Sequence, residues 1–266
     1  MRRNRFKAKL LRDEIAVGVM TLSADLHAAG VLAEAGFDCV MPDQEHTSVS
    51  LGQLEALVRA ADAAGIAPAV RVPGSRKPEI LAALDTGVQA IMVPMVESAA
   101  EAARVAEVSR YAPEGTRGVF YLGYNAGYGS HSAPEHFASA NRELLIIAQI
   151  ESAAGVERAA EIAAIPGIDC LLVGPADLSQ SLGVLWQFDH PALGEAIGAV
   201  FRAARGAGKV AGIMPAGIDH ASWCVEQGAR LLLWGPEMAL LRRAAREDAA
   251  LLRERLGWRP APEAPP

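Results

Sequence analysis

The sequence predicts a single α/β domain in which eight strand–helix units close into a (β/α)₈ barrel, the TIM-barrel fold, extended by a long C-terminal helix. Three observations support this fold class. The chain has 266 residues, a length at which one-domain barrels are common. Short aliphatic runs alternate with longer Ala- and Leu-rich segments of helical spacing, which is the pattern of parallel βα units. Several of these longer segments end in glycine, a residue that often stops a helix before the next strand.

Eight segments have the length and the apolar composition of buried strands. They span residues 15–20, 38–42, 68–72, 90–95, 144–150, 169–173, 209–214 and 230–234. The glycines that we expect at helix ends are Gly36, Gly65, Gly87, Gly167, Gly208 and Gly228. No G-x-G-x-x-G loop follows the first strand. This argues against an open dinucleotide-binding sheet and against a nicotinamide-dependent oxidoreductase.

Three segments fall outside the strand–helix repeat. Residues 111–132, before the fifth strand, are long, irregular and rich in Gly and Tyr, as functional loops often are. We expect a helix over residues 237–256 that is longer than barrel closure requires. We therefore place the barrel domain in residues 1–257 and a flexible tail, rich in Pro and Ala, in residues 258–266.

The composition argues against several classes of partner. The formal net charge is −6 and the only basic block is the short start of the chain, so we expect no nucleic-acid partner. No apolar run approaches the roughly 18 residues of a membrane span, and no signal-peptide core follows the basic start. Cys39, Cys170 and Cys224 lie in apolar sequence and fit reduced core thiols better than disulfides or a zinc site. We expect a cytoplasmic protein.

Polar residues collect where several predicted strands end, which is the face that carries active sites in such barrels. The second strand leads into Asp43, Gln44, Glu45 and His46, and the third ends at Arg71. The fifth and sixth strands lead into Gln149, Glu151, Gly174, Pro175, Ala176 and Asp177. The opposite strand ends are mostly apolar or glycine, so the candidate site lies on one face.

Glu151 and Asp177 would project from adjacent strands with no histidine or cysteine beside them. Such an all-oxygen environment suits Mg²⁺ or Mn²⁺ better than structural zinc. Two carboxylates leave positions open for waters and for a substrate with two oxygens, such as a 2-oxo acid. From spacing alone, helix capping by both carboxylates explains their positions equally well.

Arg71 keeps its charge in an apolar setting and could bind a carboxylate or stabilise an enolate oxygen, with a buried ion pair to Asp43 as the alternative. His46 could carry a proton near neutral pH, with Asp43 or Asp85 orienting its ring, or be a bystander. The backbone of residues 174–177 turns from a strand into a helix start, where free N–H groups favour an anion. Together these groups predict a site for a small carboxylic acid.

Taken in order, these motifs resemble the class II pyruvate aldolases of the HpcH/HpaI family, which includes 4-hydroxy-2-oxoheptanedioate aldolase and 2-dehydro-3-deoxyglucarate aldolase. The matching motifs are AGFD at residues 35–38, DQEH at 43–46, VR at 70–71, PMV at 94–96, TRGV at 116–119, QIES at 149–152 and VGPADLS at 173–179. The resemblance implies a barrel of the phosphoenolpyruvate/pyruvate superfamily type. It also implies a carbon–carbon lyase that cleaves 4-hydroxy-2-oxo acids to pyruvate and an aldehyde, reversibly and through a metal-stabilised enolate.

The resemblance also implies roles for individual residues. Glu151 and Asp177 would bind a divalent cation, Mg²⁺ or Mn²⁺ and possibly Co²⁺, while Arg71 steadies the enolate. His46 would assist proton transfer through water, and Gln149 would position pyruvate, whose carboxylate meets the backbone of Ala176 and Asp177. Asp43 and Asp85 match family positions near the histidine. A homohexamer, a trimer of dimers with exchanged C-terminal helices, is the implied assembly.

Two segments depart from the family pattern, residues 121–129 and residues 234–237, and either could line the aldehyde side of the pocket. The sequence leaves two alternatives open. One is a lyase for malyl- or citramalyl-type coenzyme A esters, which shares the barrel and the carboxylate site. The other is a catalytically silent oxo-acid-binding protein, which has no chemical need for all four of Arg71, His46, Glu151 and Asp177.

Overall fold

A computed structural model describes residues 2–259 of the chain. The strands in this range are β1 (Ala16–Thr21), β2 (Cys39–Pro42), β3 (Ala67–Arg71), β4 (Ala90–Val93), β5 (Leu145–Ile150), β6 (Cys170–Val173), β7 (Val210–Ile213) and β8 (Leu231–Trp234). Each strand pairs in parallel with the next, and β8 pairs with β1, so the sheet closes into a barrel. The predicted fold class is confirmed, and every strand begins and ends within two residues of its predicted bounds.

Helices surround this barrel and connect its strands. They are α1 (Arg5–Leu10), α2 (Leu26–Glu34), α3 (Leu51–Ala64), α4 (Lys77–Asp85), α5 (Ala99–Ser109), α6 (Ala133–Glu143), α7 (Ala153–Glu157), α8 (Ala159–Ala163), α9 (Pro175–Ser181), α10 (Pro191–Gly206), α11 (Ile218–Glu226) and α12 (Glu237–Leu256). The six glycines predicted at helix ends all adopt a positive φ, between 69° and 102°. After α3, for example, Gly65 donates its N–H to the carbonyl of Ala61, in a left-handed conformation that suits glycine.

Two apolar layers hold the barrel together. Side chains that point inward from the strands, such as Met41, Met92 and Leu172, fill the interior. Side chains on the opposite face of the same strands, such as Val70 and Leu171, pack against the surrounding helices. The strands therefore lie between two apolar layers, which explains their nearly continuous aliphatic sequences.

The short helix α1, which the sequence analysis missed, closes the amino end of the barrel. Its Phe6 and Leu10 are buried against the interior side chains. Lys7 is buried too, and its Nζ donates to the carbonyl of Leu144 at 2.6 Å and lies 3.0 Å from Asp169 Oδ1. The helix has only six residues, too few to show a clear hydrophobic period in the sequence.

The long loop of residues 111–132 lies at the amino end of the barrel. It connects α5 to α6, and such connections run to the end where strands begin. Its short 3₁₀ helix, Tyr124–Gly129, places Tyr124 against the start of the chain, where Arg2 Nη1 donates to the tyrosine oxygen at 2.7 Å. The expectation that residues 121–129 line the aldehyde side of the pocket is therefore not met within one chain.

The C-terminal helix α12 spans the predicted residues, yet none of its side chains is buried. Only its start is anchored, because the Glu237 carboxylate accepts hydrogen bonds from the N–H groups of Leu22 and Ser23 and from the Ser23 hydroxyl. Residues 260–266 of the predicted tail lie outside the described residues, as does Met1 at the start of the predicted domain.

The composition led to two predictions, one about the cysteines and one about membrane-spanning helices. Cys39, Cys170 and Cys224 are buried and form no disulfide with one another, as predicted. Among the helices of residues 2–259, none combines the length and the apolar character that a membrane span requires.

Candidate active site

A cavity of about 590 Å³ opens at the carboxyl ends of the strands. Seven of the predicted site residues line it, namely His46, Arg71, Gln149, Gly174, Pro175, Ala176 and Asp177. Another cavity, of about 430 Å³, lies at the amino end beside α1 and contains none of the predicted site residues. The face that the sequence analysis selected is thus the one where the predicted residues meet.

Arg71 is fixed by two carboxylates at the end of β3. The side chain is 8% exposed. Its Nε and Nη2 donate to the two oxygens of Asp43 at 2.8 and 2.7 Å, and its Nη1 lies 3.1 Å from Glu45 Oε2. The ion pair between Arg71 and Asp43, left open by the sequence, is therefore present. It does not remove Arg71 from the site, because the guanidinium also lines the cavity.

The opposite charges of Arg71 and Asp43 stabilise each other. Burial raises the pKa of Asp43, but the hydrogen bonds and charge of Arg71 outweigh it and hold this pKa below its usual value. Burial lowers the pKa of Arg71, but the hydrogen bonds and charge of Asp43, with the charges of Glu45 and Glu151, outweigh it and raise this pKa. A cation fixed in one orientation at the cavity wall is the result.

His46 lies at the rim of the cavity, with 63% of its side chain exposed. Its Nε2 is 3.7 Å from Glu45 Oε2, too far for a hydrogen bond. Asp43 is bonded to Arg71 rather than to this ring. The ring therefore has contact with solvent and an acidic neighbour, but no partner that fixes its orientation.

Asp85 is not brought to His46 within one chain. It is the last residue of α4, and this helix runs from the carboxyl end of β3 back to the amino end of the barrel. There its Oδ1 accepts a hydrogen bond from Arg117 Nη2 at 3.0 Å. The predicted role of Asp85 in orienting the histidine is not met in this arrangement, because the two residues lie at opposite ends.

Glu151 is buried beneath the cavity, with 3% of its surface exposed. Its Oε1 accepts a hydrogen bond from the backbone N–H of Met95 at 2.8 Å, and its Oε2 accepts one from Gln149 Nε2. Met95, the donor of the first bond, has φ 52°, a conformation rare for a residue with a side chain. Gln149 Oε1 is buried and has no hydrogen-bond partner.

The electrostatic surroundings of Glu151 favour its protonated form. Burial raises its pKa to about 7, and the charges of Glu45 and Asp177 add to this, while the Met95 N–H and Arg71 act in the opposite direction. Three carboxylates are thus close enough to affect one another. A group that adds positive charge here would favour ionised Glu151.

Gly174 leaves room for these groups. A Cβ atom at this position would lie 2.5 Å from Glu151 Oε2 and 2.8 Å from Gln149 Nε2, distances that real Cβ contacts do not reach. A side chain here would therefore fill the space next to both groups. The glycine keeps open the part of the cavity where the carboxylate and the amide meet.

Asp177 lies in the first turn of α9 and is exposed to the cavity. The residue that caps α9 is Gly174, and the one that caps α7 is Ser152, whose hydroxyl accepts from the N–H of Gly155. Neither Glu151 nor Asp177 is an N-cap, so the capping alternative is wrong. Among residues 2–259, no three or more His, Cys, Asp or Glu side chains are placed so that together they could hold a metal ion.

A model of the HpcH/HpaI aldolase/citrate lyase family matches residues 17–244 of the chain. The chain belongs to this family. The hydroxypyruvate/pyruvate aldolase of Deinococcus radiodurans is 36% identical over 260 residues, which cover 98% of this chain and 94% of that protein. The 5-keto-4-deoxy-D-glucarate aldolase of Salmonella paratyphi A is 35% identical over 246 residues, which cover 92% of this chain and 95% of that protein.

Solved structures agree with this assignment. An HpcH/HpaI aldolase/citrate lyase family protein from Burkholderia cenocepacia superposes with a TM-score of 0.89 and 34% identity, over 94% of this chain and 99% of that one. The family and the names of its members make the chain an aldolase or lyase, as the sequence predicted.

One wall of the cavity at the carboxyl ends of the strands was not predicted from the sequence. Trp186, Phe188, Met214, Pro215, Ala216 and Gly235 form this wall. Gly235 belongs to the 234–237 turn that we expected near the aldehyde, so that part of the expectation agrees with the structure. The aromatic pair lies between α9 and α10, where no period indicates which side chains face a cavity. The available signal was the Trp-x-Phe sequence in the loop between these two helices.

The other missed residue is Glu45. It lies inside the quoted DQEH motif, but only the structure shows that its carboxylate lies between Arg71 and His46. Burial raises the pKa of Glu45, with Arg71 and His46 opposing and Asp43 and Asp177 adding to the rise.

Proposed function

We propose that this chain is a divalent-metal-dependent pyruvate aldolase that reversibly joins pyruvate to an aldehyde and forms a 4-hydroxy-2-oxo acid. The observation that carries the proposal is the meeting of buried Glu151, exposed Asp177 and fixed Arg71 around one cavity. Two acidic groups and one permanent cation at the carboxyl end of a barrel suit the chemistry of a 2-oxo acid.

In the direction of synthesis, a proton leaves the methyl carbon of pyruvate and an enolate remains. This carbon forms a bond to the aldehyde carbon, and the aldehyde oxygen takes up a proton. Cleavage is the reverse. Because the methyl proton is weakly acidic, the site must stabilise negative charge on the keto oxygen, and each 1.4 kcal/mol of such stabilisation raises the rate about tenfold.

Glu151 and Asp177 would hold the divalent cation, Mg²⁺, Mn²⁺ or Co²⁺. Three features of the structure fit such an ion: an all-oxygen donor set, the unpartnered Gln149 Oε1 beside it, and the space that Gly174 leaves open. When bound, the cation would polarise the keto group and stabilise the enolate charge. The two relatives described above are named as aldolases, which supports this assignment.

The protein groups around the site have separate tasks in this proposal. Arg71, held by Asp43 and Glu45, provides a fixed cation next to the enolate oxygen. Gln149 and the backbone N–H groups of Ala176 and Asp177 orient pyruvate. No lysine in residues 2–259 lines the cavity, so the site offers no amine for a Schiff base.

His46 Nε2 would move the proton. Its ring lies at the cavity rim and is largely exposed, so it can exchange a proton with solvent water and with the aldehyde oxygen. Glu45 Oε2 lies 3.7 Å from this nitrogen.

We also infer a homohexamer in which α12 packs on a neighbouring subunit. None of the twenty residues of this helix is fully buried, and Leu241 and Leu256 are 60% and 74% exposed. A long helix with exposed leucines is unfavourable in water unless another surface covers it. Sedimentation analysis should give about six times 28 kDa, and a mass of one chain would contradict the assembly.

The deciding experiment measures pyruvate release from a panel of 4-hydroxy-2-oxo acids, with Mg²⁺, Mn²⁺, Co²⁺ or EDTA. Wild type is compared with Glu151→Gln and with the matched control Glu143→Gln. Glu143 also accepts a backbone N–H, from Asn4 at 2.9 Å, but at the amino end of the barrel.

We expect metal-dependent release from the wild type and the Glu143 variant, and none from the Glu151 variant. Release that EDTA leaves unchanged would contradict metal dependence. No release from any free acid, with cleavage of malyl- or citramalyl-type coenzyme A esters, would identify the thioester lyase. No release from either class of substrate, with pyruvate still bound, would identify a silent binding protein.

A further inference from the structure

The wall of the cavity opposite the charged residues is apolar. Trp186 and Phe188 approach it from the loop between α9 and α10, and Met214 and Pro215 approach it from the end of β7. The two aromatic rings contact each other edge to face, with centroids 5.0 Å apart. One side of the cavity thus suits a 2-oxo acid and the other suits a hydrocarbon.

Trp186 is held at this wall in an unfavourable state. It has φ 63°, in the left-handed region, and 69% of its surface is exposed. A bulky side chain in this conformation is strained, and an indole that stays exposed gains little stabilisation from burial. Packing in the core does not offset the backbone strain or shield the indole from water. A role in binding explains why a tryptophan stands here.

The loop that carries Trp186 is fixed to the helix that carries Asp177. The N–H of Trp186 donates to Ser179 Oγ at 3.0 Å, and that hydroxyl donates to the carbonyl of Ala176 at 2.6 Å. Ser179 is fully buried. The apolar wall therefore has a defined position relative to the acidic side of the cavity.

The charges of the cavity disfavour a substrate with another carboxylate. Arg71 is the only Arg or Lys among its lining residues within 2–259, and it is already paired with Asp43 and Glu45. A carboxylate at the apolar wall would meet no cation and would lie in the field of Asp177. Burying such a group without a partner is costly.

We propose that Trp186 and Phe188, with Met214 and Pro215, bind the side chain of the aldehyde, and that this enzyme prefers aldehydes with apolar substituents over semialdehydes with a distal carboxylate. This inference rests on the proposed aldolase function. It assigns Trp186 as a specificity-determining residue, in contact with the part of the aldehyde that does not react.

The test compares two aldehydes of similar shape, 4-methylpentanal and succinic semialdehyde, which carry an isopropyl group and a carboxylate at the same position. Condensation with pyruvate is followed by mass spectrometry of the products, and kcat/KM is determined for each aldehyde. The ratio of the two values cancels any general loss of activity in a variant. We expect the wild type to favour 4-methylpentanal by about tenfold or more.

Trp186→Gly removes the indole and also relieves the backbone strain. We expect it to lower the ratio about tenfold, mainly through a higher KM for 4-methylpentanal, and Trp186→Phe to restore most of the preference. The matched control is Tyr128→Gly, at the amino end, because Tyr128 has φ 57° and is 63% exposed. This variant should keep the wild-type ratio.

A wild-type preference for succinic semialdehyde, equal use of both aldehydes, or an unchanged ratio in Trp186→Gly would overturn the inference. Exchange of pyruvate methyl protons in D₂O, measured by NMR without an aldehyde, tests the proposed function separately. Exchange together with the wrong aldehyde preference contradicts only the inference about the apolar wall. Absence of both exchange and condensation would overturn the proposed function, and this inference with it.

Discussion

A buried arginine–aspartate pair lies at each end of the barrel, and the two pairs differ in geometry. At the carboxyl end, Arg71 bonds both oxygens of Asp43. At the amino end, Arg117 donates one hydrogen bond to Asp85, and its guanidinium stacks 4.6 Å from the centre of the Tyr111 ring. Both arginines are 6% exposed, whereas the side chain of Asp43 is 1% exposed and that of Asp85 is 28% exposed.

The two aspartates differ in the balance of the same forces. The pKa of Asp43 is lowered, because two bonds from Arg71 and one from the Glu45 N–H outweigh burial. The pKa of Asp85 is raised, because burial outweighs its single bond to Arg117. Of these two arginines, Arg71 lines the cavity that other predicted site residues also line. The comparison teaches that a buried ion pair marks a functional site only where open space and further polar groups meet it.

Of the substitutions that distinguish the two ends of the barrel, Arg71→Lys should have the largest effect on activity. Lysine keeps the positive charge but lacks the planar group that bonds both oxygens of Asp43 and lies beside Glu45. We expect kcat/KM for pyruvate release to fall about 100-fold or more, as for loss of a group that stabilises an oxyanion. Steady-state kinetics with saturating metal measures this loss.

Arg117→Lys is the matched change at the amino end. It should lower the melting temperature by about 2–4 °C, through the loss of about 1 kcal/mol of stacking and hydrogen bonding. Its kcat/KM should stay within about threefold of the wild type, the range of an indirect effect. Comparable losses of activity in both variants would mean that the amino end also takes part in the reaction.

The second comparison concerns two glycines. In Gly174→Ala, the new Cβ would lie 2.5 Å from Glu151 Oε2, so the carboxylate or the backbone must move. We expect about a tenfold or larger loss of kcat/KM and weaker metal binding, because small displacements of catalytic groups are costly.

Gly30→Ala provides the control for the glycine change. Gly30 lies within α2, and a Cβ there would meet nothing within 4 Å. This variant should be more stable by about 0.5–1 kcal/mol with unchanged activity, since alanine favours helix. Full activity in Gly174→Ala would show that the space beside Glu151 is not used.

The fold could be predicted almost completely because its signals are local and repeated. Eight aliphatic segments and the glycines between them located the strands, and the ends of those strands located the site. Arg71, Glu151 and Asp177 could be proposed from the sequence because they lie at or just after the ends of β3, β5 and β6. Trp186 and Glu45 could not, because their positions depend on how a loop folds back on α9 and how two side chains meet. Within one chain Asp85 lies away from His46, because the helix that it ends runs to the amino end of the barrel.

The smallest effect should be the pH dependence of stability in the metal-free protein. Burial raises the pKa of Glu151 to about 7. The folded protein therefore holds this proton more tightly than the unfolded chain does. The resulting stabilisation is full below the unfolded value of 4.5 and is lost as the pH rises through about 7.

With EDTA present, we expect the wild type to lose on the order of 1 kcal/mol, or a few °C, between about pH 5 and pH 8. Glu151→Gln, which cannot ionise, should lack this part of the slope, while Glu143→Gln at the amino end should keep it. Mn²⁺ added to the wild type should restore stability most strongly above about pH 7, because it binds the ionised carboxylate. Calorimetry across this range measures both effects. An equal slope in wild type and Glu151→Gln would assign the pH dependence to other groups and would leave Glu151 ionised without a metal.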